Sequence, residues 1–333
     1  MTMPTRPLGP YAVSAVGLGC MNLSHAYGAP PSEADGAALL GRALDLGCTH
    51  LDTAALYGGG ANERLIGRAV GHRRAEFTLA SKCVLDMVDG KRVLDGSPEA
   101  VARTLDAALG RLGTDRIDLY YLHRLDARVP IEESVGALAR AREAGKIGAI
   151  GLSEMGADTI RRAHAVHPIA AVQTEYSPAS RNAEIAVLDV TRELGISFVA
   201  FSPVARGLLA GAVRDDGYAP GDIRRGFPRY VQPGLGRNLA LVDRFDALAR
   251  DAGLTPARLS IGWVLARAPH VVAIPGTTSI QHLEENMAAR PVGPDLAAAV
   301  DGLFPPGALA GARYAAPMQA QIDTEIFPDE ELA

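Results

Sequence analysis

Short apolar runs alternate with amphipathic segments along most of the chain. Eight runs, centred near residues 18, 51, 80, 120, 150, 172, 199 and 272, are apolar or β-branched, and each precedes a segment with a helical pattern. Continuous apolar runs are typical of strands covered on both faces, and apolar residues at three-and-four spacing are typical of helices. Eight such units predict an α/β fold, a closed (β/α)8 TIM barrel rather than a doubly wound open sheet.

Turn and capping residues divide the chain further. The turn at 8–10 (Leu-Gly-Pro) between two β-prone runs predicts an N-terminal β-hairpin. Ser32 and the Ser97-Pro98 pair predict helix starts. After strand seven a Gly/Pro/Arg-rich segment predicts a long loop at 208–237, of the kind that forms lids or binding walls. We expect one domain over 1–333, with a C-terminal tail at 305–333.

Composition and charge exclude several classes of protein. The 333 residues are 48% hydrophobic and 21% charged, enough for a large core, and the net charge of -5 leaves no basic field for nucleic acid or an anionic membrane. Cys20, Cys48 and Cys83 have neither CxxC nor CxxH spacing, so we expect reduced thiols rather than a disulfide framework or a zinc site. No segment has the pattern of a leader peptide or a membrane span. We expect a cytoplasmic protein with no nucleic-acid or membrane partner. The sequence leaves open whether the protein forms a homo-oligomer.

Two glycines near the first predicted strand suggest a dinucleotide-binding fingerprint. Gly17 and Gly19 have the spacing of its first two glycines, but Asn22 occupies the position of the third. We therefore reject this motif.

Polar side chains stand at the ends of neighbouring predicted strands. Asp52 ends strand two, Lys82 ends strand three and His123 follows strand four, while Tyr57 lies in the turn after strand two. In a barrel these ends meet at one mouth, where barrel enzymes keep their chemistry. Each residue alone has an ordinary structural explanation. A lysine and an aspartate that end adjacent buried strands, however, must pair to offset their desolvation.

A phenol beside this pair is a candidate general acid. An ammonium about 4 Å away favours tyrosinate by at most about 4 kcal/mol at an effective dielectric of about 20. We therefore expect the pKa of Tyr57 to fall from about 10 by up to about three units. The phenol would then protonate a carbonyl oxygen that His123 holds by a hydrogen bond. We expect the glycines at 58–60 to let the loop bring Tyr57 over the mouth.

Two other chemistries would use the same residues. A barrel aldolase would form a Schiff base at Lys82, although pairing with Asp52 would keep that amine protonated. A metal-dependent hydrolase would draw its ligands from His50, Asp52 and His123, but the adjacent Lys82 cation would repel a metal ion. We therefore expect no metal site.

A series of ordered motifs resembles the aldo-keto reductase family. The motifs are LDTA and YGGGANE around Asp52 and Tyr57, LASK at Lys82, YYLH at His123, and then GLSE, QTEYS, FSPVARGLL and IPGTTSIQHLEEN. They look closest to a bacterial, yeast and plant branch that includes pyridoxal reductases and relatives of the potassium-channel β subunit. The resemblance implies a catalytic tetrad of these four residues, with Tyr57 as proton donor. It implies hydride transfer between a nicotinamide cofactor and a small aldehyde or ketone.

The resemblance also implies that the cofactor is bound in extended form without a Rossmann domain. Ser153 and Gln173 match residues that hold the nicotinamide carboxamide, and Phe201 matches the aromatic residue that stacks on the ring. The other matched positions are Gly19, Cys20, Met21, Asp52, Ser202, Pro203, Val204, Arg206, Gly207, Pro275, Gly276, Thr277, Thr278, Ser279, His282, Glu285 and Asn286. The last group opens a predicted helix, where free backbone N–H groups favour an anion.

Some positions depart from the family pattern. Glu154 stands where many members have asparagine, which argues against a carboxamide contact from this position. Relatives in this branch often carry lysine or arginine at one or more of the positions occupied here by Gly276, Thr278, Ser279 and Gln281. Without them an adenosine 2′-phosphate loses charge-assisted partners, and His282, Arg224 or Arg225 are left to compensate. We therefore rank NADP(H) only slightly above NAD(H).

The candidate residues for the wall of the substrate pocket come from two segments. The candidates are Met21, Asn22, His25 and Tyr27 after strand one, and Phe227, Pro228 and Tyr230 in the long loop. They suggest a mixed polar and aromatic pocket suited to pyridoxal, an aryl aldehyde or a sugar. The channel-subunit relatives add one more alternative, a regulatory or sensing subunit that binds the cofactor and turns over slowly.

Overall fold

A computed structural model of the protein describes residues 4–24, 26–88 and 91–333. Its strands are β1 (Thr5–Leu8), β2 (Tyr11–Ser14), β3 (Leu18–Gly19), β4 (His50–Asp52), β5 (Thr78–Cys83), β6 (Leu85–Val88), β7 (Lys91–Leu94), β8 (Ile117–Leu122), β9 (Ile147–Ser153), β10 (Ala171–Glu175), β11 (Ser197–Phe201) and β12 (Val271–Ile274). Strands β3, β4, β5 and β8 to β12 form one parallel sheet in that order.

The sheet closes through its first and last strands. Val16, just before β3, forms a parallel bridge with Ala273 of β12. The Gly17 amide donates to the Ala273 carbonyl oxygen at 2.8 Å, and the Ala273 amide donates to the Ala15 carbonyl oxygen at 3.0 Å. The predicted (β/α)8 barrel is therefore confirmed, with its eight strands at the predicted places.

Helices follow the barrel strands. They are α1 (Glu33–Asp45), α2 (Ala61–Val70), α3 (Pro98–Leu112), α4 (Ile131–Glu143), α5 (Ala157–Val166), α6 (Val187–Glu193), α7 (Gly234–Asp251), α8 (Pro256–Ala266), α9 (Ile280–Met287), α10 (Pro294–Leu303) and α11 (Ala316–Gln319). Ser32 and Ser97 cap α1 and α3 as predicted, each accepting a hydrogen bond from the backbone N–H three residues on. None of the helices in the described ranges combines the length and apolar character that crossing a bilayer requires.

The predicted N-terminal hairpin closes the end of the barrel opposite the strand carboxyl ends. Leu8 and Val13 of β1 and β2 are fully buried and pack with barrel residues such as Leu119 and Val272. Gly9 makes the turn at φ +57°, and a Cβ there would lie 2.6 Å from Ala170 Cβ. The hairpin therefore closes this end of the barrel to water, and the cavity opens at the other end.

Several elements differ from the sequence prediction. A second hairpin, β6–β7, follows β5 where we expected a direct passage to the next helix, and its sequence signal was the Asp-Gly dipeptide at 89–90. A 3-10 turn at 205–210 leads into the long loop, which contains two more at 223–226 and 228–230, and α7 begins at Gly234 rather than near Leu239. Helices α10 and α11 were not predicted.

The C-terminal tail folds back onto α5. Asp323 Oδ2 accepts from the Gly156 amide at 2.8 Å, and Glu325 Oε1 accepts from the Ala157 amide at 2.7 Å. These two carboxylates satisfy backbone donors at the start of α5 and face the positive end of its dipole. The tail is thereby fixed, and it brings Tyr314 and Met318 to the barrel mouth.

Candidate active site

A buried ion pair lies at the centre of the barrel mouth. Lys82 of β5 and Asp52 of β4 are 0% and 3% exposed, and Lys82 Nζ donates to Asp52 Oδ1 and, at 2.9 Å, to the Thr53 carbonyl oxygen. Burial alone would lower the pKa of Lys82, but the Asp52 carboxylate and the Tyr57 hydroxyl outweigh it, and the pKa is raised. The amine is therefore held as an ammonium, and the predicted pairing of these two residues is present.

A glycine-rich turn brings Tyr57 over this pair. Gly58, Gly59 and Gly60 have φ values of +58°, +58° and +81°, which residues with a side chain rarely adopt. Tyr57 is 8% exposed, and its Oη lies 3.5 Å from Lys82 Nζ. Its ring meets that of His123 edge to face, with centroids 5.9 Å apart. The four predicted catalytic residues therefore converge on one point.

The pKa of Tyr57 is raised, so the expected fall is wrong. Burial is the largest cause of the rise, Lys82 opposes it, and Asp52 adds to it. The ammonium favours the phenolate, but burial inside the barrel removes the phenolate's hydration, and this desolvation has the larger effect on the pKa. Because Asp52 also neutralises much of the ammonium's field, the phenol stays protonated at neutral pH. The Tyr57 hydroxyl therefore keeps its proton beside the Lys82 ammonium.

Two polar residues on neighbouring strands brace the centre. Gln173 of β10 donates from Nε2 to Asp52 Oδ2 at 2.8 Å, so both oxygens of that carboxylate are engaged. Ser153 ends β9, and its Oγ lies 3.3 Å from Arg124 Nη1. Ser153 and Gln173 both face the cavity above the tetrad.

A cavity of about 460 Å³ opens above these residues. Tyr57, His123 and Asp52 line it, and Lys82 lies beneath. The predicted cofactor residues that line it are Gly19, Met21, Asp52, Ser153, Gln173, Phe201, Ser202, Pro203, Val204, Arg206, Gly207, Gly276, Thr277, Thr278, His282, Glu285 and Asn286. Cys20, Pro275 and Ser279 are not among the lining residues; the Cys20 thiol is buried against Leu18, and Ser279 caps α9.

The backbone around this cavity leaves space for a bound ligand. A Cβ on Gly276 would lie 2.5 Å from Asn22 Oδ1 and 2.8 Å from the Gly19 carbonyl oxygen, so only glycine leaves that wall open. After β11, Ser202, Ala205 and Arg206 all have φ between +47° and +51°. Such strain in residues other than glycine clusters at ligand sites. The shape and the α9 N-terminus therefore suit the nicotinamide cofactor that the sequence implies.

Arg206 and Glu154, two positions considered above from the family motifs, bind other residues of the protein and so stabilise the fold around the cavity. Arg206 forms a two-pronged ion pair with Glu175 at 2.5 and 2.9 Å. Burial opposes the charge on Glu175, but Arg206 lowers its pKa to about 2. Glu154 accepts from the Glu175 amide at 2.7 Å and from Thr324 at 3.1 Å, so its carboxylate points away from the cavity. This accounts for glutamate at position 154.

Some of the residues predicted to form the substrate wall line the cavity, and others do not. Met21, Asn22, Tyr27 and Phe227 line the cavity, whereas Pro228 and Tyr230 do not. The ring of Tyr230 is buried behind the loop, and its hydroxyl donates to the Ala205 carbonyl oxygen at 3.1 Å. His25 lies outside the described residues. These loop positions could be placed near the mouth from the sequence, but the direction of their side chains could not.

Several residues that line the cavity were not predicted from the sequence, and four of them are charged or belong to the C-terminal tail. Arg124 and Arg92 lie beside the tetrad, and Tyr314 and Met318 come from the C-terminal tail. Arg124 directly follows His123, so its place after a strand end was a usable signal. Arg92 depends on the β6–β7 hairpin, which the Asp-Gly dipeptide could have indicated. Tyr314 and Met318 depend on the folded tail, whose contacts have no pattern in the sequence.

The alternative chemistries find little support here. A Schiff-base lysine needs a neutral amine, and the pKa of Lys82 is raised rather than lowered, once burial is outweighed by Asp52. No group of three His, Cys, Asp or Glu side chains in residues 4–24, 26–88 and 91–333 is placed to hold a metal ion. His50 lies buried below the mouth, with Nδ1 3.2 Å from the Thr78 carbonyl oxygen.

Comparisons with known proteins agree with this geometry. Residues 15–303 match the Aldo/keto reductase family. The chain is 45% identical over 297 residues to aldo-keto reductase yakc [NADP(+)] of Schizosaccharomyces pombe, covering 87% of each chain. It is 41% identical over 314 residues to probable aldo-keto reductase 1 of Glycine max, covering 91% of this chain and 89% of that one.

Solved structures give the same result. The chain resembles the glycerol dehydrogenase AKR11B4 of Gluconobacter oxydans with a TM-score of 0.82 and 26% identity, over 99% of this chain and 100% of that one. It resembles the holo form of the aldo-keto reductase AKR11C1 of Bacillus halodurans with a TM-score of 0.77 and 27% identity, over 91% and 96%. From the sequence match, the barrel and the converging tetrad together, the chain belongs to the aldo/keto reductase family.

Proposed function

We propose that this protein reduces an aldehyde or ketone to an alcohol with NADPH, and that Tyr57 is the general acid. The observation that carries the proposal is the protonated Tyr57 hydroxyl at the floor of the cavity, 3.5 Å from the Lys82 ammonium. The sequence resemblance to pyridoxal reductases makes pyridoxal one of the first aldehydes to test. Three free, buried cysteines fit a reducing compartment, so we also propose the cytoplasm.

Each residue of the tetrad has a role in the proposed reaction. Tyr57 gives its proton to the carbonyl oxygen, and the Lys82 ammonium stabilises the phenolate that forms. Asp52 keeps Lys82 charged and in place, and Gln173 fixes Asp52. His123 borders the same point of the cavity and orients the carbonyl oxygen. The buried setting strengthens these interactions because it excludes water.

The residues for the cofactor follow from the cavity. The nicotinamide supplies the hydride when it is bound. We propose that Ser153 and Gln173 hold its carboxamide and that Phe201 lies against its ring. The adenosine end would lie at the start of α9, beside Thr277, His282 and the other lining residues of that segment.

The choice of cofactor can be tested by rates. NADPH is expected to give a higher kcat/KM than NADH, since the yeast relative carries NADP(+) in its name and His282 lies exposed at the cavity's adenosine end. Both values of kcat/KM can be measured by following nicotinamide absorbance with a panel of aldehydes that includes pyridoxal. His282→Ala should reduce the NADPH rate and spare NADH. A preference for NADH of about tenfold, or about 1.4 kcal/mol, would reverse our ordering.

The pH dependence should differ between the two directions. Because the pKa of Tyr57 is raised, mainly by burial, the phenol remains protonated throughout the neutral range, and reduction should be nearly flat from about pH 6 to about pH 9. Alcohol oxidation needs the phenolate and should rise about tenfold per pH unit over the same range. Measuring kcat/KM in both directions tests this. An oxidation rate that levels off near pH 7 would show a lowered pKa instead.

A further inference from the structure

Two arginines beside the tetrad have no carboxylate partner among the residues that the structure describes. Arg124 is 7% exposed, and its Nη1 donates to the His123 carbonyl oxygen at 2.6 Å and lies 3.3 Å from Ser153 Oγ. Its Nε is buried and has no hydrogen-bond partner among the described residues. Arg92 of the β6–β7 hairpin lines the same cavity from its exposed edge. Both guanidinium groups are therefore near the place where a substrate carbonyl would sit.

The other two arginines that line the cavity each pair with a carboxylate. Arg206 pairs with Glu175 and Arg224 pairs with Asp222, whereas Arg92 and Arg124 form no ion pair within the described ranges. A buried charge without a partner is costly to keep. Burial, together with repulsion from Arg124, lowers the pKa of Arg92 to about 10. Arg92 is thus protonated at neutral pH, and an anion in contact with both guanidinium groups would offset the repulsion between them.

The phosphates of the cofactor do not account for this charge. The sheet runs in the order β12, β11, β10, β9, β8, β5, β4, β3 and closes between β3 and β12. Strand β8, which carries Arg124 at its end, is therefore diametrically opposite β12. The segments proposed for the pyrophosphate and the adenosine end follow β11 and β12. An anion at Arg92 and Arg124 must belong to a different molecule, on the substrate side of the tetrad.

We propose that Arg92 and Arg124 form a subsite for an anionic group on the carbonyl substrate, a carboxylate or a phosphate. The inference rests on the proposed function, because it places the substrate carbonyl at Tyr57 and His123. Arginine suits this task because its planar fork presents paired donors to either anion. The substrate class is then an aldehyde or ketone with a negative charge a few bonds from the carbonyl. Neutral analogues would lose a charge-assisted contact and bind less well.

Matched substrates and one charge-removing variant test the subsite. We would compare 4-carboxybenzaldehyde with its neutral amide analogue 4-formylbenzamide, and pyridoxal 5′-phosphate with pyridoxal, which separates a carboxylate subsite from a phosphate subsite. Arg92→Gln should lower kcat/KM for the anionic member of the preferred pair by about tenfold and leave the neutral member within about twofold. Arg124→Lys, which keeps the charge but loses the fork, should act in the same direction.

Arg192→Gln provides the matched control. It removes the same charge from an exposed arginine of α6 that pairs with Asp189, and it should leave all four substrates unchanged. Rates for the anionic substrate should also fall with added salt in the wild type, and less so in Arg92→Gln. An equal loss for charged and neutral substrates, or no loss for either, would overturn the subsite while leaving the proposed reaction intact.

Binding separates a failed subsite from a failed reaction. If no aldehyde is reduced, calorimetric titration of the cofactor-loaded protein with 4-(hydroxymethyl)benzoate, 4-(hydroxymethyl)benzamide and inorganic phosphate still measures the subsite. Tighter binding of either anion than of the amide, weakened about tenfold in Arg92→Gln, would support the subsite even though the proposed reaction had failed. Indifference to the charge of the ligand would overturn the subsite as well.

Discussion

Replacing Tyr57 with phenylalanine should lower kcat for aldehyde reduction by about a thousandfold while changing cofactor affinity by less than about threefold. The change removes one hydroxyl, which lies 3.5 Å from the Lys82 ammonium. The pKa of this hydroxyl is raised, mainly by burial, so it is protonated at neutral pH. The phenyl ring keeps its edge contact with His123. The loss should therefore appear in the chemical step rather than in binding.

Single-turnover rates and cofactor titration by fluorescence would measure the two quantities separately. Tyr120→Phe is the matched control, because Tyr120 is a fully buried tyrosine of β8, the strand next to the one that carries Lys82, and does not line the cavity. It should retain the wild-type rate if it folds. If Tyr57→Phe kept more than about a tenth of the wild-type rate, a general acid worth at least about a hundredfold could not be assigned to this hydroxyl.

The convergence of the tetrad could be predicted from sequence for a topological reason. Asp52, Lys82 and His123 each end or follow a parallel strand, and carboxyl ends of parallel strands meet at one edge of a barrel. Strand order then follows from chain order, because connections in such folds are short and of one hand. Tyr57 was placed by the run of glycines after it, whose positive φ values the structure contains. Local pattern and topology together were sufficient for these residues.

Electrostatic and long-range features needed the structure. The direction of the Tyr57 pKa shift depends on how much water the fold removes, which a count of neighbouring charges does not include. The roles of Glu154 and Tyr314 depend on a tail that returns from about 170 residues away. Arg92 reaches the cavity only because an extra hairpin follows β5. Residues that act through tertiary packing leave no periodic signal in the chain.

Removing Asp52 alone should cost more stability than removing both members of its ion pair. Asp52→Ala leaves the Lys82 ammonium at 0% exposure without its carboxylate, and breaking a buried pair in this way typically costs about 3–5 kcal/mol. The double variant Asp52→Ala with Lys82→Met removes the stranded charge and should recover at least about 1 kcal/mol. Urea unfolding of the wild type, both single variants and the double variant gives the coupling free energy.

The pH of that experiment follows from the pKa of Lys82. Burial opposes its charge, but Asp52 and Tyr57 raise the pKa above its ordinary value. The stabilisation from the charged lysine is therefore fully present below the unfolded value of about 10.4 and is lost only as the pH rises through the higher folded value. Neutral pH thus measures the whole effect. If the double variant were no more stable than Asp52→Ala, the isolated ammonium would not be the source of the cost, and the role of Asp52 as its counter-charge would fail.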